Sequence, residues 1–181
     1  MIFPRFLTTA LLLLLFVMQT TAQKYVAKEG YVSFFSEAPI ENIKAENKRM
    51  TSIFIADNGM IAFSVINKDF IFPKKLMQEH FNDKYMESHK YPQSTFSGTI
   101  VGYSLEANGL QSVRAKGQLK IHGITKNIDI PGTLEVKGNT VQMKSRFKVV
   151  LADYGITIPA ILWKNISEQV EVSIDLIFTK Q

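Results

Sequence analysis

The 181-residue sequence contains no cysteine. Disulfides, a thiolate metal site and a cysteine nucleophile are therefore excluded, as is the acylated cysteine of a lipoprotein. Histidine is nearly as scarce: His80, His89 and His122 form neither an HxH nor an HExxH arrangement. There is also no GxSxG elbow and no glycine-rich phosphate loop. These absences predict a protein that is not an enzyme and that uses no metal or cofactor.

Long apolar runs are missing except at the N-terminus. Arg5 supplies a positive charge, Phe6 to Met18 are mostly apolar, and Thr20-Thr21-Ala22 offer small residues for cleavage. The apolar run is shorter than the roughly 20 residues that a membrane-spanning helix needs. We expect residues 1–22 to be a cleaved signal peptide and residues 23–181 to be one periplasmic or secreted domain. An uncleaved anchor is the alternative.

Period-two alternation is the dominant pattern of the rest of the chain. From Val113 to Ile121, apolar residues alternate with polar or basic ones, and Val141 to Val150 and Val170 to Phe178 repeat the pattern. Such alternation predicts strands with one dry and one wet face. Turn signals such as Asp57-Asn58-Gly59 separate about eight or nine such segments, as in an antiparallel sandwich or barrel.

One amphipathic helix interrupts the strands. Met77, Phe81 and Tyr85 recur at helical spacing after Pro73, and Tyr91-Pro92 is expected to end the helix. The sequence carries a net charge of +5, but its basic residues fall on the wet faces of strands and are not interleaved with aromatics. We therefore expect a solvated exterior and no nucleic-acid partner.

The dry faces predict a container, because an eight-stranded barrel has room for side chains or for one small ligand. We expect Gly117 to leave space for a bound chain or to mark a bend, and Gly117→Phe to block binding without disrupting the fold. His122 should bond loop backbone and not bind a metal. The predicted lining is Val113, Gly117, Leu119, Val141, Met143, Phe147, Val172, Ile174 and Leu176. The predicted mouth is Phe81, Tyr85 and Trp163, the last lying in a loop that packs on the barrel end or touches a membrane.

Several segments outside this pattern are recognisable motifs. Lys90-Tyr91-Pro92 is followed by Thr95-Phe96 after the helix. Leu119 to Lys126 reads LKIHGITK, in which the short break in alternation at His122-Gly123 predicts a hairpin loop. Asp153-Tyr154-Gly155-Ile156 and the strand from Gln169 to Asp175 come later. With these segments the chain resembles the YceI-like family of exported, lipocalin-like barrels associated with polyisoprenoid lipids, whose signatures include KYP-x-x-TF, LTIHGVTK and DFGI.

This resemblance implies an eight-stranded antiparallel barrel with one short helix near its mouth, enclosing a long apolar chain. One segment departs from the family, because Asp69 to Lys75 replaces a Thr-x-x-x-x-Arg-Asp segment, so the head group of the ligand is expected to differ. The function expected is transport, storage or sequestration of an isoprenoid or related lipid, without stable membrane insertion. A ligand-free stress-response barrel and an outer-membrane barrel are the alternatives, and a homodimer is left open.

Overall fold

The computed structural model describes residues 23–37, 41–158 and 167–181. The expected signal peptide and Trp163 lie outside these residues. Helix α1 spans Lys75–His80 and continues as a π-helical turn over Phe81–Tyr85, and short 3-10 turns cover Asn67–Asp69 and Leu151–Tyr154. The strands are β1 Lys24–Ser36, β2 Ile43–Asn47, β3 Met50–Ile55, β4 Met60–Ile66, β5 Gln93–Val101, β6 Leu110–Ile121, β7 Ile124–Lys137, β8 Thr140–Val150 and β9 Gln169–Lys180.

The strands close into an antiparallel barrel, because β1 pairs with β9 as well as with β3. β2 and β3 are two halves of one broken strand. Ala27 pairs with Ser52 of β3, and Val32 with Asn47 of β2, so five residues forward on β1 match five residues back on the partner. The two halves therefore share one register with β1. Counted as one strand, they give the eight-stranded barrel that was predicted.

One end of the barrel is closed by a dry core. Phe54 and Phe178 are fully buried and pack edge to face, with ring planes inclined at 61° and centroids 6.1 Å apart. Leu134 and Val141 are also fully buried in this cluster. Such close packing leaves no room for a ligand at this end.

The segment between β4 and β5, residues 67–92, covers the other end and is called the cap segment. Its α-helix is shorter than predicted from the helical spacing of Met77, Phe81 and Tyr85, because it ends at His80. Pro73 precedes the helix and is not in its first turn, since Lys74 is the N-cap residue. After His80 the turn widens to π-helical geometry, which carries Phe81 and Tyr85 over the barrel.

The β6–β7 hairpin turns through His122-Gly123, as the sequence predicted. Ile121 pairs directly with Ile124, which leaves a two-residue loop. Both loop residues have positive φ, 49° for His122 and 78° for Gly123. This is the combination that a type I′ turn requires. A histidine in the left-handed region is uncommon, and the contacts of its side chain explain why it is held there.

Candidate functional site

A cavity of about 380 Å³ lies between the packed end of the barrel and the cap segment. This volume is near the lower limit of the roughly 300–1,000 Å³ found for small-ligand sites. Both the strands and the cap segment supply its wall, which is mainly aliphatic and aromatic. Members of this wall include Val32, Phe34, Ile61, Val65, Phe96, Ile100, Ala115, Leu119, Phe147, Val149 and Val172.

Polar groups lie at two places on this wall, and the belt between them is apolar. One set is at the cap end, where Ser36, Glu41, Asn67, His80, Ser94 and Thr95 contact the cavity. The other set is halfway along β7 and β8 and consists of Ser145, which faces inwards, with Thr133 and Lys144, which contact the cavity although their side chains are on the outer face. An apolar belt with polar ends suits a ligand that has a hydrocarbon body, since buried polar groups need partners and hydrocarbon offers none.

Four phenylalanines form an aromatic cluster where the cap segment meets the barrel. Phe81 stacks on Phe34 of β1 with ring centroids 5.6 Å apart, and its centroid lies 5.1 Å from that of Phe72 and 5.6 Å from that of Phe70. Aromatic pairs at these separations are favourable beyond the area they bury. Phe70 and Phe72 point inwards because Ile71 between them pairs with Glu46 of β2 through two backbone hydrogen bonds. The cluster therefore fastens the cap segment over the cavity.

Buried asparagines hold the ends of the cap segment. Asn67 has no exposed surface, and its Nδ2 donates to the Tyr91 carbonyl at 2.7 Å. Its Oδ1 accepts from the Ser94 hydroxyl at 2.8 Å. Asn47, also fully buried, donates to the Ile66 carbonyl. Satisfied buried amides of this kind specify one backbone arrangement. Neither asparagine was predicted from the sequence, because an isolated asparagine carries no periodic signal.

His122 joins three segments at the same end. Its Nδ1 lies 3.0 Å from the Tyr154 carbonyl oxygen, so Nδ1 is the donor, since a carbonyl only accepts. Its Nε2 lies 2.9 Å from Oε2 of Glu87, which also has a positive φ. The Tyr91 ring packs edge-on against the imidazole at a centroid distance of 4.4 Å. The IHG, KYP and DYGI motifs thus meet at one contact, and the expected backbone bond of His122 is present.

Seven of the nine predicted lining residues contact the cavity: Val113, Leu119, Met143, Phe147, Val172, Ile174 and Leu176. The predicted mouth residues Phe81 and Tyr85 contact it as well, whereas Trp163 lies outside the described residues. Binding of a lipid by any of them stays a prediction. Additional wall residues that the sequence analysis did not name are Phe70, Phe72, Ile128 and Ile130. The alternation of Phe70 and Phe72 around Ile71 was an available signal.

The predictions for Val141 and Gly117 need correction. Val141 faces inwards but belongs to the packed end, below the cavity. Gly117 pairs directly with Gly98 of β5, and a Cβ on Gly117 would lie 2.3 Å from the Ser97 carbonyl oxygen and 2.5 Å from the Gly98 Cα. The glycine therefore permits close approach of two strands and leaves no space for a ligand. The expectation that Gly117→Phe leaves the fold intact is therefore wrong, because the larger side chain would force β5 and β6 apart.

Burial favours the neutral form of two tyrosines at the site. Burial raises the pKa of Tyr85 on the cavity wall, and burial also raises the pKa of Tyr154 beside His122. Within the described residues, no group of three or more histidines and carboxylates is placed to hold a metal. In the same part of the chain, no helix is long and apolar enough to cross a membrane.

A closed antiparallel barrel around an apolar cavity, with a short helix over one end, defines the class of lipocalin-like barrel proteins. The sequence of residues 22–178 matches the family model described as YceI-like domain. The chain therefore belongs to the YceI-like family, in agreement with the resemblance that its motifs carry. A comparison with curated protein sequences found no match.

Solved structures with the same fold include a polyisoprenoid-binding domain from Saccharophagus degradans, with 15% identity and a TM-score of 0.75 over 89% of this chain and 100% of that one. BcnA from Burkholderia cenocepacia is similar, with 16% identity and a TM-score of 0.70 over 82% and 95% of the two chains. The YCEI protein of Campylobacter jejuni has 14% identity and a TM-score of 0.63 over 80% and 88%. At these identities the likeness concerns the fold.

Proposed function

We propose that this protein is exported and holds a long apolar chain, an isoprenoid or a related lipid, inside its barrel for transport, storage or sequestration. The observation that carries the proposal is the 380 Å³ cavity with an apolar belt between two polar ends. The structural neighbour from Saccharophagus degradans is described as polyisoprenoid-binding, which supports the same ligand class here.

Burial of hydrocarbon alone supplies enough affinity for such a role. Each buried methylene contributes about 0.8 kcal/mol, so ten methylenes contribute about 8 kcal/mol before the costs of immobilising the chain. No polar contact in the belt is required. The site should therefore select the length and width of the chain more than the chemistry of its head.

The first experiment is mass spectrometry of lipids extracted from protein purified without detergent. We expect an apolar chain to co-purify, and farnesol to exchange with it in a titration. A barrel that is empty in repeated preparations and takes up no farnesol would contradict the proposal and favour the ligand-free alternative.

A matched pair of variants places the ligand inside the barrel. Ala115 faces the cavity on β6, and Gln118 on the same strand is exposed on the outer face. Ala115→Phe should displace two to three methylenes of the ligand, about 2 kcal/mol or roughly thirtyfold in the dissociation constant. The Gln118→Phe variant should bind the ligand with the same dissociation constant as the unchanged chain. Equal affinities for both variants would place the ligand elsewhere.

A further inference from the structure

The barrel wall has a slit between β7 and β8. These strands pair only from Gly132–Ser145 to Lys137–Thr140. Among the described residues, no ladder joins residues 124–131 of β7 to residues 146–150 of β8, although β6 pairs with β7 along its whole length. Pairing stops at Pro131, which has no backbone N–H to donate.

Contacts between the two strands bound the slit at both ends, so the slit is a local gap in the pairing of a closed barrel. At its foot the Ser145 hydroxyl donates to the Pro131 carbonyl at 2.7 Å. At its top Lys126 lies 3.6 Å from Asp153, and His122 bonds the Tyr154 carbonyl. Strand edges that are left unpaired in a wall are costly unless they are covered or solvated. An unpaired stretch within an otherwise closed wall is therefore a candidate for a functional role.

The cavity reaches this slit from inside. Ile128 and Ile130 on one edge and Phe147 on the other line the cavity, and all three are only half-buried. Pro131 and Lys144, whose side chains are on the outer face, also contact it. Apolar side chains, which can change rotamer, therefore fill the slit, and no backbone hydrogen bond has to break for it to widen.

The strands around the slit carry an excess of positive charge. Residues 110–150 contain eight lysines and arginines against two acidic residues, whereas the whole chain has a net charge of only +5. Asp129 pairs with Arg114 and Lys116, while Glu135, Asp153, Glu171 and Asp175 pair with one basic residue each, so cations remain in excess. Lys120 and Lys148 form no ion pair within the described residues.

We propose that the lipid enters and leaves the cavity sideways through this slit, while the surrounding basic face rests on an anionic bilayer. This inference rests on the proposed function. An anionic bilayer is the partner that this surface fits, because excess cations beside an apolar opening complement anionic head groups above acyl chains. The cap segment then acts as a fixed wall, fastened by its aromatic cluster and by Asn67.

The first test prevents the slit edges from separating. Asn127→Cys with Lys148→Cys places thiols on the two outer edges, and a bis-maleimide linker then joins them without the tight geometry of a disulfide. The absence of native cysteine makes the reaction specific. The control is Ser97→Cys with Gln118→Cys, an exposed pair directly opposed on β5 and β6.

The readout is the rate at which dansyl-labelled farnesol moves from phosphatidylglycerol vesicles into the protein, before and after linking. Linking across the slit should slow transfer at least tenfold with the final occupancy unchanged, and the control link should change the rate less than twofold. An unchanged rate in fully linked protein would overturn the inference and leave the proposed function intact. Absence of uptake by the unchanged chain would instead overturn the proposed function, and the inference with it.

The second test removes the two lysines without ion pairs. Each basic residue near an anionic surface contributes roughly fivefold to partitioning, so Lys120→Gln with Lys148→Gln should reduce flotation with phosphatidylglycerol vesicles roughly 25-fold. The control is Lys48→Gln with Lys68→Gln, two lysines near β3 and β4 on the opposite side of the barrel. This double variant should change flotation with the vesicles less than twofold. Equal losses in both double variants, or equal binding to phosphatidylcholine vesicles, would overturn the basic face as the docking surface.

Discussion

The contact between Gly98 and Gly117 yields the sharpest stability prediction. The two glycines face each other on β5 and β6, and neither has a positive φ. A Cβ on Gly117 would lie 2.3 Å from the Ser97 carbonyl oxygen, and a Cβ on Gly98 would lie 2.2 Å from the Lys116 carbonyl oxygen. Both obstacles are backbone atoms, which cannot rotate away. Gly117→Ala must therefore push the two strands apart.

The expected loss of stability follows from two opposing effects. Overpacking costs about 1–3 kcal/mol, and the upper part of that range applies where backbone has to move. Replacing glycine with alanine recovers about 0.4–1 kcal/mol by restricting the unfolded chain. The net destabilisation is then about 2 kcal/mol. For a chain of this size that corresponds to a fall in Tm of roughly 4–8 °C.

Urea unfolding of single and double variants measures the effect. Because one displacement of the strands relieves both clashes, the effects of Gly98→Ala and Gly117→Ala should fail to add by at least about 0.5 kcal/mol. Gly109→Ala is the control. Its Cβ meets no atom within 4 Å, but its φ of 84° strains an alanine, so it has a cost of its own that is independent of the contact between β5 and β6. The effects of Gly109→Ala and Gly98→Ala should therefore add. Additive effects in the first pair, or a Gly117→Ala protein as stable as the unchanged chain, would refute the steric reasoning.

Other consequences concern the cap end and the exterior. His122→Ala removes two hydrogen bonds and should lower the free energy of unfolding by about 2–3 kcal/mol in urea; His122→Asn, which tolerates positive φ, should lose less, and equal losses would contradict the strain argument. Phe81→Ala should destabilise by about 2 kcal/mol, less than for a fully buried phenylalanine because Phe81 is only partly buried, and should speed proteolysis within the cap segment; unchanged cleavage would contradict the fastening role of the aromatic cluster. The Arg114 hydrogen bond holds the pKa of Asp129 below its usual 3.8. The small stabilisation is therefore complete above that pH and lost as pH falls through the lowered pKa, so the stabilities of the unchanged chain and Asp129→Asn should converge in acid; a constant difference would contradict this sign.

Much of the fold could be predicted from local pattern. Alternation along β6, β8 and β9 assigned Leu119, Phe147 and Val172 to the inner face, because the pleat places successive side chains on opposite sides of a sheet. The His122-Gly123 hairpin followed from its short polar break. The family motifs added the closure of the barrel and the helix over its mouth.

The position of a residue along the barrel axis could not be predicted in the same way. Val141 and Phe147 share one face of β8, yet Val141 is in the packed end and Phe147 is on the cavity wall. Alternation is identical at both positions. The difference depends on which side chains the other seven strands of the barrel contribute at the same level along its axis. The periodicity of one strand does not encode this.

The sequence by itself determined the strands, their inner and outer faces and the apolar character of the interior, because these follow from period-two chemistry within single segments. Only the tertiary structure decided where the cavity lies, why Gly117 is a glycine, how His122 joins three motifs and where β7 parts from β8. Each of these depends on the register between strands distant in sequence. Register is set by the assembled barrel, since every strand must pair with two neighbours at once.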